Sequence, residues 1–160
     1  MSKLSKRGYG EGTVYDHVVR LLSAHALHEG VLLDLGCGFG TVAASCAEIG
    51  LDYLGVGAEP DGLEDLAKQG FSTALVDLSE SAGLVERLEE VLAGRQLAAI
   101  TALEVIERLA RPGELLAVLA DLANRHAGAP LVVSAANVSL IVSGRLPCSR
   151  SSFSSGEWNG

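Results

Sequence analysis

The chain has 160 residues, with 12 Lys and Arg against 20 Asp and Glu, a formal charge of −8 and a sequence pI near 4.9. Apolar residues make up 48% and charged residues 20%, enough for one ordinary core and incompatible with a fully disordered chain. The acidic excess offers no electrostatic footprint for a nucleic-acid backbone or an anionic membrane surface, and no apolar run reaches the roughly 18 to 20 residues that span a bilayer.

The opening MSKLSKRGYGEG turns to glycine and acid where a signal peptide needs an apolar stretch, so the expected compartment is the cytoplasm. The first helix is expected from Thr13 to His28, with Val14, Val18, Leu21 and Leu22 on one face and Gly30 after its end. Val31 to Leu35 is a short apolar run with a glycine-rich exit, which fits a buried parallel strand. A helix from Thr41 to Ile49 stops at Gly50, and Tyr53 to Gly57 reads as a second strand. A helix from Gly62 to Gln69 and a strand from Phe71 to Val76 follow. Leu84, Leu88, Val91 and Leu92 then mark a helical face ending at Gly94, and Leu97 to Thr101 is the fourth strand. Pro112 suits the first turn of a helix carrying Leu115, Val118, Leu119 and Leu122, and Leu131 to Ala135 is the fifth strand. This alternation predicts an α/β fold: a doubly wound, Rossmann-like sheet of about five parallel strands with helices on both faces, filling residues 1–142.

From Ser143 the pattern changes: six of the remaining 18 residues are Ser and three are Gly, so residues 143–160 read as a flexible tail. Cys37, Cys46 and Cys148 form neither a CxxC pair nor a metal-like spacing, and an odd count suits free thiols in a reducing compartment. His17, His25, His28 and His126 have no carboxylate or Cys completing a ligand set, so no metal site is expected. The three on the first helix read as surface residues.

Chemistry concentrates in Leu33-Asp34-Leu35-Gly36-Cys37-Gly38-Phe39-Gly40, where three glycines alternate between a strand and a helix. In open α/β sheets ligands settle at the carboxyl ends of the strands, near the reversal of strand order, and a first βα turn lies there. The spacing is GxGxG, so Thr41 replaces the last glycine of a dinucleotide fingerprint, which weakens an NAD reading. Asp34 adds a carboxylate suited to fix the loop or to meet a cationic ligand group.

The run LLDLGCGFG resembles the first motif of class I S-adenosylmethionine-dependent methyltransferases. Asp77-Leu78 after the third strand, Leu103-Glu104-Val105-Ile106-Glu107 after the fourth, and Leu131-Val132-Val133-Ser134 leading to Asn137 support the likeness. Order and spacing are similar to small-molecule, ubiquinone-biosynthesis-like methyltransferases over residues 5–139. The resemblance implies S-adenosylmethionine as cofactor, S-adenosylhomocysteine as product and a small-molecule acceptor. It places Asp34, Gly36, Cys37, Gly38 and Gly40 in the loop around the methionine part and ribose, Asp77 and Leu78 at the adenine, and Leu103 beside the sulfonium. Tyr9, within Arg7-Gly8-Tyr9-Gly10, resembles a segment that closes over the cofactor.

The family's usual ribose-binding acid after the second strand aligns with Gly57, leaving Glu59 as the nearest carboxylate. Pro60 biases Glu59 toward an extended backbone, which could turn its carboxylate toward the pocket. The family's two familiar histidines are replaced within Glu107-Arg108 and Ala136-Asn137-Val138-Ser139-Leu140, so no catalytic base carries over. Little sequence remains for the family's closing hairpin, so an incomplete sheet edge is expected, and whether the chain is a truncated or frameshifted reading of a longer gene stays open. The alternative reading is a degenerate accessory domain acting through a protein partner, with a homo-oligomer also open; an NAD-dependent oxidoreductase ranks last.

Overall fold

A computed structural model describes residues 9–27, 29–135 and 138–142. The expectations for Arg7-Gly8, His28, Ala136-Asn137, Cys148 and the tail 143–160 lie outside the described residues. In chain order the elements are α1 (Val14–His25), β1 (Val31–Leu35), α2 (Ala43–Glu48), β2 (Asp52–Gly57), α3 (Pro60–Lys68), β3 (Ser72–Leu75), α4 (Leu84–Leu92), β4 (Leu97–Leu103), α5 (Pro112–Arg125), β5 (Leu131–Ala135) and β6 (Val138–Val142). A 3-10 turn at Ile106–Arg108 links β4 to α5.

The strands form one sheet in the order β3-β2-β1-β4-β5-β6. The first five pair in parallel, as expected from the alternation of strands and helices. The sixth differs: β6 runs antiparallel along β5 and covers the edge expected to be open. Its sequence, Val138-Ser139-Leu140-Ile141-Val142, is rich in β-branched residues that suit a pleated surface.

Local chemistry explains the helix boundaries. Thr13 caps α1 by accepting the Asp16 N–H on its hydroxyl oxygen, at 3.4 Å. α3 begins at Pro60 rather than the expected Gly62, because proline supplies a helical φ at the first position and Glu59 serves as the extended N-cap. α2 is shorter than expected, since the Ala43 N–H bonds the Gly40 carbonyl in a turn before the helix takes over.

All five residues of β1 are buried, and alternate side chains serve opposite layers. Leu33 and Leu35 pack with α4 and α5 residues such as Leu84, Leu88, Leu115 and Leu119. Leu32 joins Val18, Leu22, Cys46 and Leu66 from α1, α2 and α3 on the other face. The strand order reverses between β1 and β4, so the loops that leave these two strands diverge and leave a crevice above the sheet.

α3 approaches the first loop closely. A Cβ added to Gly62 would sit 2.4 Å from the Gly38 carbonyl oxygen, which is backbone and cannot swing aside. This contact explains a glycine inside a helix, where it costs about 1 kcal/mol against alanine. Gly62→Ala is expected to destabilise the fold by about 1–3 kcal/mol in urea unfolding, because overpacking outweighs helix propensity. A gain in stability would show that α3 does not bear on the loop.

Candidate functional site

A cavity of about 390 Å³ lies at the carboxyl ends of β1, β2, β3 and β4, a volume typical of small-molecule pockets. The loops that follow these strands build most of its wall, and Tyr15 of α1 contributes from the side. Of the ten residues expected from the sequence, Asp34, Gly36, Cys37, Gly38, Glu59, Asp77, Leu78 and Leu103 line this cavity. Tyr9 and Gly40 do not. Tyr9 is buried, with its ring tilted against Tyr15 at 5.8 Å between centroids. Gly40 packs under the loop, where an added Cβ would meet Leu66 at 2.2 Å.

The first loop is tied down by its own backbone: the Gly36 and Cys37 N–H groups both donate to the Val56 carbonyl, at 2.7 and 3.1 Å. Gly38 adopts φ +53° with nothing within 4 Å of the position a Cβ would take. Its missing side chain leaves open space, and its conformation is one that L side chains rarely adopt. Cys37 also lines the cavity, but burial pushes its thiol up to about 12, with Asp34 adding to the rise, so it is a poor nucleophile at neutral pH.

Asp34 is 3% exposed and accepts hydrogen bonds on both oxygens, from the Tyr53 hydroxyl at 2.5 Å and from Thr101 Oγ1 at 2.8 Å. The sheet register explains the trio. Thr101 stands directly opposite Asp34 on β4. Tyr53 pairs with Leu32, two residues down, and Gly55 pairs with Asp34. A Cβ on Gly55 would crowd the Tyr53 ring at 3.1 Å, so the glycine leaves room for Tyr53 to lie along the strand and reach the carboxylate. Burial raises the Asp34 carboxyl to about 6 despite the two opposing hydrogen bonds. Both bonds run to the neighbouring strands, β2 and β4.

Asp77 is exposed, and its Oδ1 accepts from the Ser79 hydroxyl at 2.6 Å and the Ser79 N–H at 2.9 Å. These bonds hold its carboxyl below the usual range, so it stays ionised, and Ser79 itself lines the cavity. Glu59 has the extended backbone expected before Pro60, at φ −97° and ψ 104°, and its side chain makes no capping bond to α3. Gly57 also reaches the wall, with an ordinary 3.7 Å from its Cβ position to Cys37 Sγ.

Sequence reasoning assigned no role to Tyr15, Ser79, Glu104 or Arg108, all of which line the cavity. The Asp77-x-Ser79 spacing was a legible turn signal for one of them. Among the described histidines none lines the cavity: His17 and His25 are exposed on α1, and His126 contacts Glu89 across α4 and α5 at 3.1 Å. Among the described residues no cluster of three His, Cys, Asp or Glu could hold a metal ion, and no helix is long and apolar enough to cross a membrane.

An open α/β sheet with a glycine loop at its switch point defines a class of ligand-binding domains, and the comparisons specify the family. A model described as a methyltransferase domain matches residues 8–150, so the chain belongs to the methyltransferase domain family. No curated protein matches it. Among solved structures, a sugar N-methyltransferase from Streptoalloteichus sp. shares 22% identity, with a TM-score of 0.59 over 81% of this chain and 50% of that one. An amino pentose methyltransferase of calicheamicin biosynthesis from Micromonospora echinaspora shares 19% identity, with a TM-score of 0.57 over 78% of this chain and 52% of that one. A TehB-like S-adenosylmethionine-dependent methyltransferase from Corynebacterium glutamicum shares 25% identity, with a TM-score of 0.54 over 72% and 59%. The chain thus spans about half the length of these relatives.

The Asp34 carboxyl yields a pH signature. Its folded value of about 6 exceeds its ordinary 3.8, so the folded chain binds this proton more tightly than the unfolded one. Its contribution is fully present below about 4 and is lost as pH rises through about 6. Relative to Asp34→Asn, the native chain is expected to lose about 2 kcal/mol of unfolding free energy between pH 4 and 6.5. A pH-independent difference in urea unfolding would contradict the buried, proton-linked carboxylate.

Proposed function

We propose that this domain binds S-adenosylmethionine in the cavity and transfers its methyl group to a small-molecule nucleophile in the cytoplasm. The observation that carries this reading is the glycine loop at the switch point, with Gly38 open to the cavity in the left-handed conformation. Gly36, Cys37 and Gly38 would hold the methionine part, close to the backbone. Asp77, pre-oriented by Ser79, would accept a bond from the adenine amino group, and Leu78 would face the ring. Glu59 would accept from the ribose hydroxyls in place of the acid missing at Gly57. Leu103 lies at the end of β4, where the sulfonium would be held.

The bound cofactor supplies an activated methyl group, so the chain's task is to orient donor and acceptor and to exclude water, for which good alignment is worth up to roughly 7–11 kcal/mol. Acceptors that are already nucleophilic need no base. The family relatives named as methyltransferases support this reading, and Thr41 and Gly57 disfavour NAD.

Calorimetric titration is the test: S-adenosylmethionine or S-adenosylhomocysteine is expected to bind and NAD is not. Gly38→Val should weaken binding by at least about tenfold, through bulk in the cavity and backbone strain. Binding undiminished by Gly38→Val would remove the loop from the site. A folded chain that binds neither compound would favour the accessory-domain reading and a protein partner.

The ribose assignment has its own test. Glu59→Gln should weaken cofactor binding by roughly ten- to a hundredfold, the range of a charge-assisted hydrogen bond, and Gly57→Asp in that background should recover part of the loss. If Glu59→Gln binds like the parent, Glu59 is a solvated loop acid.

A further inference from the structure

Glu104 closes β4 with φ +55°, a left-handed conformation that glycine takes freely and an L side chain takes only at a cost. Its N–H donates to both the carbonyl oxygen and Oγ of buried Ser134, at 3.0 and 3.1 Å. Glu104 lines the cavity at this anchored strand end, next to Leu103. Tyr15 of α1 lines the same cavity. An ionised carboxylate has about four lone-pair sites with which to accept from a ligand's donors. The wall carries four carboxylates, of Asp34, Glu59, Asp77 and Glu104, against one guanidinium, Arg108.

We propose that Glu104 recognises the methyl acceptor and that the acceptor is an amine. This inference rests on the cofactor reading above and adds the class of the second substrate. A free amine offers an N–H to the carboxylate, which only accepts, and this orients the nitrogen lone pair away from Glu104. The amine sheds its extra proton to water before reaction. Its lone pair then forms the nitrogen–carbon bond while the carbon–sulfur bond breaks, leaving that electron pair on sulfur. Positive charge passes from sulfur to nitrogen, and the methylated ammonium later releases a proton to solvent. A fixed carboxylate beside the nitrogen is thus worth more in the transition state than before it. An anionic acceptor meets repulsion from the Glu104 carboxylate, and a hydroxyl develops less positive charge once its proton departs.

The experiment uses the full chain saturated with S-adenosylhomocysteine and three matched probes: cyclohexylamine, cyclohexanol and cyclohexanecarboxylate. Saturation-transfer NMR is expected to show the amine binding at least about fivefold more tightly than either other probe. Glu104→Gln should weaken the amine about tenfold while changing S-adenosylhomocysteine affinity less than about threefold. Equal binding of the alcohol, or amine binding unchanged in Glu104→Gln, would overturn the proposal. Failure of S-adenosylhomocysteine to bind refutes the cofactor reading and the acceptor class with it, whereas intact binding without amine preference refutes the acceptor class alone.

Discussion

One buried carboxylate ties the three central strands together. Asp34 of β1 accepts from Tyr53 of β2 and Thr101 of β4, and two residues later the chain enters the glycine loop. Burying a charge costs several kcal/mol unless hydrogen bonds replace the lost water. Here the replacements come from both neighbours of the central strand, so the carboxylate is satisfied only in this register. A slip of one residue would turn Asp34 to the opposite layer, among Leu84, Leu88 and Leu119. The loop's height above the sheet, and hence the cavity floor, depends on that register.

The consequences spread outward from β1. A side chain at Gly55 would crowd the Tyr53 ring along the strand, and Gly62 must lack one for α3 to touch the loop at Gly38. The two glycines serve close approach, and both sit where an alternative residue would suit the local secondary structure better. A similar local conflict exists at Glu104, whose left-handed backbone is held by Ser134. Glu104 shares this left-handed backbone with Ala93 and Ala127, which follow α4 and α5 away from the cavity.

Much of this architecture was legible in the chain. Apolar runs punctuated by glycine located the five parallel strands, and alternation with amphipathic helices implied the sheet. Lateral partners were not legible: Tyr53 lies 19 residues from Asp34 and Thr101 lies 67, and no periodicity links them. β6 escaped because Val138–Val142 was read with the segment after β5 instead of as a returning strand. The loop motif and Asp77 stood out because glycine spacing and a strand-end acid are local signals. Tyr15 and Arg108 come from a helix and a 3-10 turn that only the folded chain brings to the cavity. Tyr9, given a place over the cofactor by resemblance, does not line the cavity itself; its ring lies against that of Tyr15, which does.

The central claim is that the cofactor lies in this cavity, on the first loop, and amide-resolved NMR during titration with S-adenosylhomocysteine tests it most directly. The account predicts saturable shifts at Gly36, Cys37, Gly38, Leu78 and Leu103, which surround the cavity, with the outer turns of α4 and α5 unmoved. Shifts confined to other surfaces, or no saturable shifts from a folded chain, would contradict it.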